Sequence, residues 1–295
     1  MTVPAAAGGQ MLDQLGAGPG EPRRTVRGGR ATRRSGRVPL LLTLPALVGV
    51  LFLVLPLGGL LVRAPWTGLP RLLADPPVRQ ALRLSLLSAT AATGLSLLFG
   101  VPLAWVLARL RFPGRRLLRT LVTLPLVLPP VVGGVGLLFA FGRRGVLGPA
   151  LSSVGISLSF TTAGVVLAEA FVAMPFLIVS VEGALASSDQ RYEQAAATLG
   201  ASSWATFHRV TLPLVGPSVA AGAVLAFARA LGEFGATITF AGNLPGTTQT
   251  MPLAVYIALE TDPQAAIALA LVLLAVSIAI MLLLRERWLR PGTKP

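Results

Sequence analysis

Three ionisable side chains, Glu169, Arg229 and Glu233, fall inside otherwise apolar stretches of this sequence. A charge at the centre of a membrane-spanning helix costs about 2.5–3.5 kcal/mol on insertion scales, so each needs a partner or a task. Arg229 and Glu233 are four residues apart, which puts them on one helical face. At about 1.5 Å of rise per residue, all three share one layer in the outer half of the membrane. Two readings follow. Either Arg229 attracts a dianion along a pathway, or the three residues form a cluster that locks the fourth and fifth spans together. Two carboxylates facing a pore would repel an oxyanion, so they are expected to point away from it.

Other chemistry is excluded by what the chain lacks. It has no cysteine, so no disulfide, thiol nucleophile or Cys-built metal site is available. His208 is its one histidine, which removes HExxH and every other multi-His metal site. Lys294 is its one lysine and lies at the C-terminus, so the phosphate-loop pattern GxxxxGK[ST] cannot occur. No His, Cys, Lys or Asp pair lies within the apolar stretches, which removes an intramembrane protease or lipid transferase.

The elements that hold these residues are membrane spans. Of 295 residues, 54% are hydrophobic and 12% charged, and runs of about 20 apolar residues recur. Hydropathy places six spans, at 38–62, 82–108, 118–141, 161–182, 213–240 and 265–284. Eighteen of the 25 basic residues flank one side, in residues 1–37, 109–119, 183–212 and from Arg285 onward, against five on the other. The positive-inside rule then makes both termini cytoplasmic. Residues 1–37 are rich in Gly, Pro and Arg without apolar periodicity and read as a disordered basic tail at the lipid surface, not a nucleic-acid arm. Residues 285–295 read as a short cytoplasmic tail. In the third span, Pro129, Pro130 and Gly133 either break the helix at a pathway or only kink it. The hydroxyls of the second span, from Ser85 to Ser96, read as close-packing small residues.

The 183–212 loop reads as a docking element. Ser187 and Gln190 have capping-box spacing, and Tyr192, Ala195, Ala196 and Leu199 recur at helical period. Gly200 stands where a helix C-terminus needs positive φ, and Pro213 opens the next span. A small Ala-faced helix on the cytoplasmic side suits a partner's groove, although an ordinary interfacial helix has the same composition.

The residues Gln194-Ala195-Ala196, Gly200 and Val210-Thr211-Leu212-Pro213 resemble the EAA loop of ABC importer permeases, EAA-x3-G-x9-I-x-LP. The departure is Gln194 in the glutamate register with Glu193 one position earlier, so either could make the polar contact to an ATPase. Leu124-Pro125-Leu126-Val127-Leu128-Pro129-Pro130, Phe171-Val172-Ala173-Met174-Pro175-Phe176 and Ala228-Arg229-Ala230-Leu231-Gly232-Glu233-Phe234-Gly235 are similar to the sulfate/molybdate group. Residues 240–250 resemble its molybdate branch more than its sulfate branch. The likeness covers about residues 80–284, with a coupling loop at 187–213. It implies an all-α integral membrane fold of the type I ABC importer permease, with six transmembrane helices, in the plasma or inner membrane. It also implies a homodimer, two ABC ATPase subunits and an extracytoplasmic oxyanion-binding protein. ATP would be bound by the partner subunits, and this chain, a transport subunit rather than an enzyme, would carry no cofactor. Sulfate, thiosulfate or tungstate are the alternative cargoes.

Overall fold

The computed structural model describes residues 40–288, and side chains within 41–282. The 1–37 tail and residues 289–295 lie outside them. Every regular element among the described residues is helical. Five helical stretches are long and apolar enough to cross a membrane, or six if one bent pair counts as a single span.

The first stretch is α1 (Leu40–Val62), where the large apolar side chains from Leu41 to Val62 are exposed except the half-buried Leu60. A short α2 (Leu69–Ala74) leads to α3 (Pro76–Leu95), whose two opening prolines suit a first turn where amides need no acceptor. A π-helical turn at Ser96–Gly100 carries α3 straight into α4 (Val101–Arg109). The second span therefore runs over Pro76–Arg109, longer at its start than hydropathy alone suggests.

The third span is broken. Helix α5 (Arg115–Thr123) and a 3-10 turn (Leu124–Leu126) meet α6 (Pro130–Phe141) at 116°. Two consecutive prolines supply no amide hydrogen, and no backbone hydrogen bond crosses from Leu128 to Pro129. After α7 (Gly148–Ser153), the fourth span α8 (Thr162–Ser187) starts at Thr161, whose hydroxyl accepts from the Gly164 amide at 3.1 Å. It runs five residues beyond the expected 182.

The segment expected to dock comprises α9 (Arg191–Thr198) and α10 (Ser203–Thr206), followed by a π-helical turn (Phe207–Thr211) that enters α11 (Leu212–Leu231). The expected fifth span of 213–240 stops at Leu231 and resumes as α12 (Gly235–Phe240). No backbone hydrogen bond crosses from Glu233 to Phe234. The expected outer loop holds α13 (Met251–Thr261), apolar but too short to span, before α14 (Pro263–Trp288).

Helix α8 is the axis of the bundle and touches α3, α4, α11 and α12. Its core contacts are small: Ala89, Ala92, Ala104, Ala170, Ala173, Ala226 and Ala230 are buried around Leu177, Ile178 and Val181. Apolar helices in lipid gain little from hydrophobic sorting, so close approach over small side chains is what holds them.

Candidate functional site

Two polar sites stand out, one where the broken spans meet and one at the end of the bundle that carries α9. At the first, the two interruptions touch. A Cβ on Gly235 would lie 3.0 Å from Pro130 Cβ and 3.1 Å from the Val131 nitrogen. One on Gly134 would overlap the Thr239 hydroxyl and lie 2.8 Å from Ala236 Cα, and one on Gly133 would lie 2.9 Å from the Phe171 ring. Helices α6 and α12 thus cross at backbone distance because glycine leaves the space. Pro129, Pro130 and Gly133 belong to the same locus as the Arg229–Glu233 break.

Arg229 lies in the last turn of α11, not deep within a longer helix, and its Nη2 is 2.6 Å from Glu233 Oε2. That contact is an ion pair without hydrogen-bond alignment. Glu233 Oε1 accepts from the Ala236 amide at 2.8 Å, at the start of α12. A cation at one helix C-terminus and a carboxylate at the next N-terminus both oppose the helix dipoles. The arginine is 27% exposed and the carboxylate 1%.

Glu169 is not part of that pair. It is buried in α8, and its Oε1 accepts from Ser88 Oγ of α3 at 2.8 Å. No ion pair joins it to Arg229 among the described residues. The expected three-residue cluster is therefore two separate contacts, because a serine from the second span meets the glutamate where an arginine was anticipated. The neighbouring Ser85 Oγ accepts from the Met251 amide at 2.7 Å. These two serines bond across elements, which corrects their reading as packing residues. Thr90, Thr93 and Ser96 instead donate to carbonyls four residues back in their own helix. The distinguishing signal was present: Ser85 and Ser88 share the period of the buried Ala81, Ala89 and Ala92.

At the other end, Ser187 does not open a capping box, since α8 continues through it. Asp189 Oδ1 accepts from the Arg191 amide at 2.9 Å instead. Helix α9 ends in a Schellman motif: the Gly200 amide donates to Ala197 O and the Ala201 amide to Ala196 O, both at 3.0 Å, with Gly200 at φ 82°. Gln194 and Ala195 are exposed, Ala196 is half-buried, and Leu212 and Pro213 begin α11. Tyr192, Leu199 and Trp204 present exposed apolar surface.

Glu193 turns the other way. Its Oε1 accepts from Arg109 Nη2 at 2.9 Å, Arg109 Nε at 3.2 Å and Thr211 Oγ1 at 3.0 Å. Arg109 also donates through Nη1 to Leu185 O at 2.9 Å and through Nη2 to Ser188 Oγ at 2.7 Å. Sequence reasoning counted Arg109 only as a flanking charge, and nothing in its local pattern marks it out. Arg119 and Glu182, likewise unmarked, pair across α5 and α8.

Residues 100–293 match the family described as binding-protein-dependent transport system inner membrane component. The chain belongs to that family. The permease is 51% identical over 230 residues to the molybdenum transport system permease protein ModB of Mycobacterium tuberculosis, covering 78% of this chain and 87% of that protein. The Escherichia coli K12 protein of the same name is 49% identical over 186 residues, 63% of this chain and 81% of its own. The sulfate transport system permease protein CysT of Escherichia coli K12 is 39% identical over 213 residues, 71% and 77% respectively. Among solved structures, a bacterial ABC transporter importing the acidic polysaccharide alginate superposes with a TM-score of 0.68 at 21% identity, covering 86% of this chain and 95% of that one. That likeness shows the fold, while the family match and the apolar spans make the permease a multi-pass membrane protein.

Proposed function

We propose that the permease carries molybdate as the membrane subunit of an ATP-driven importer. The observation that carries this reading is its 49–51% identity to molybdenum permeases, against 39–41% to sulfate permeases. The face bearing α9 is cytoplasmic, as the distribution of arginines implies. Two copies enclose the pathway, and two ABC ATPases grip the two α9–α10 elements through Gln194, Ala195, Tyr192 and Trp204. ATP favours one state of a two-state membrane domain, and that preference is all the coupling requires. The touching breaks of α6 and α12 line the route, with Arg229 as its cation and Glu233 holding that cation in place. A binding protein delivers the anion from outside, in keeping with the alginate importer's structure with a substrate-bound periplasmic protein. The permease itself breaks no bond, and ATP is hydrolysed on its partners.

The test is reconstitution with the ATPase and binding protein, followed by ATP-dependent uptake of molybdate against sulfate. Molybdate uptake that requires all three components and resists excess sulfate is the expected result. Sulfate uptake in its place would keep the mechanism and change the cargo. No ATP-dependent uptake of either would overturn the reading.

A further inference from the structure

We propose that Arg109 and Glu193 are a positioning pair that transmits movement of α9 into the membrane-spanning helices, an inference that rests on α9 being the element an ATPase grips. Apolar packing does not hold α9. None of its residues is buried, and none belongs to an apolar core cluster. Among its described side chains, Glu193 is the one that forms a hydrogen bond or ion pair with another element.

That carboxylate is fastened to several helices at once. Arg109 ends α4, and its guanidinium reaches the last turn of α8 at Leu185, the Ser188 hydroxyl just beyond it, and Glu193 on α9. Glu193 also accepts from Thr211, which leads into α11. The guanidinium therefore gathers the ends of the second and fourth spans and the docking helix, and through Glu193 the pair also reaches the start of the fifth span. Its planar fork of donors is what allows several acceptors in fixed directions, a task a lysine ammonium performs poorly. The side chains are 8% and 18% exposed, so parting them leaves a largely desolvated charge without its partner. A force that displaces α9 must break this contact or carry α4, α8 and α11 with it, and the second course is the cheaper.

The pair also resolves the register of the loop. With Glu193 engaged inward, the residue free to meet a partner protein is the exposed Gln194.

The experiment uses the complete transporter in proteoliposomes and reads three quantities: ATPase retained on purification, ATP hydrolysed, and anion imported per ATP. Arg109→Gln and Glu193→Gln should each lower import per ATP about tenfold, within the range of typical coupling effects, while the ATPase still co-purifies. The exchanged pair, Arg109→Glu with Glu193→Arg, should recover part of the loss. Thr211→Val keeps both charges and should cost about twofold to threefold, which covers the case in which the charge variants fail to fold. Unchanged import per ATP would overturn the proposal. So would ATPase loss in proportion to lost uptake, since the pair would then only shape the docking surface. Failure of the wild-type permease to retain an ATPase would instead overturn the docking reading on which the pair depends.

Discussion

The carboxylates at the two ends of the permease's polar architecture are treated in opposite ways. At the α9 end, a single oxygen of Glu193 takes three donors, and its arginine has acceptors on three segments. Between the spans, Glu169 Oε2 and Glu233 Oε2 have no hydrogen-bond donor, and neither do the buried hydroxyls of Thr237 and Thr250 find a partner. A saturated network in a low-dielectric setting is stiff, and a half-satisfied one is held only by what surrounds it. The first arrangement suits a part that must transmit force. The second suits a part whose partners change during a cycle.

Substitutions can break that contrast or sharpen it. The largest effect is expected for Gly134→Leu, whose side chain would have to occupy the crossing of α6 and α12. Overpacking there should cost about 3 kcal/mol and abolish uptake, read as a lowered Tm and as transport. Next is Ser88→Ala, which leaves Glu169 without its hydrogen bond and should cost about 2 kcal/mol. Ser96→Ala, whose hydroxyl serves only its own helix, should shift Tm by far less. If the two variants melted alike, the cross-helix serine would be a packing residue after all. Arg229→Gln removes the cation at the break and should slow uptake about tenfold, equal to about 1.4 kcal/mol, with insertion intact. Transport equal to wild type would remove Arg229 from the pathway. Smallest is Gly200→Val, which places a β-branched residue at φ 82° and should cost about 1 kcal/mol in the docking segment. It should weaken retention of the ATPase without disturbing the spans, and normal retention would count against the docking role.

How much of this was legible in the sequence depended on whether the signal was local. Spans appeared because each is a continuous apolar run, and the positive φ of Gly200 because helix termini have their own local chemistry. The break after Leu231 was invisible to hydropathy, since Gly232, Phe234 and Gly235 keep the segment apolar while ending its backbone ladder. The proline pair at 129–130 signalled a break or a kink without choosing between them, and could not give the 116° bend. Arg109 was hidden for a different reason: its partners lie 76 to 84 residues away, and an arginine at the end of a span looks like any other flanking charge. The same distance in sequence concealed Ser88 as the partner of Glu169.

The contact between Pro130 and Gly235 has a mechanical meaning. Both spans were left without backbone bonds at the same place, so the bundle contains a seam rather than two isolated defects. Bending an intact helix means stretching its ladder, whereas here α6 and α12 can tilt as one slab against α5 and α11 with no ladder to tear. The cost falls on the hydrogen bond from the Ala236 amide to Glu233, which bridges the cut, and on side-chain contacts, which act as the catch on a hinge already open.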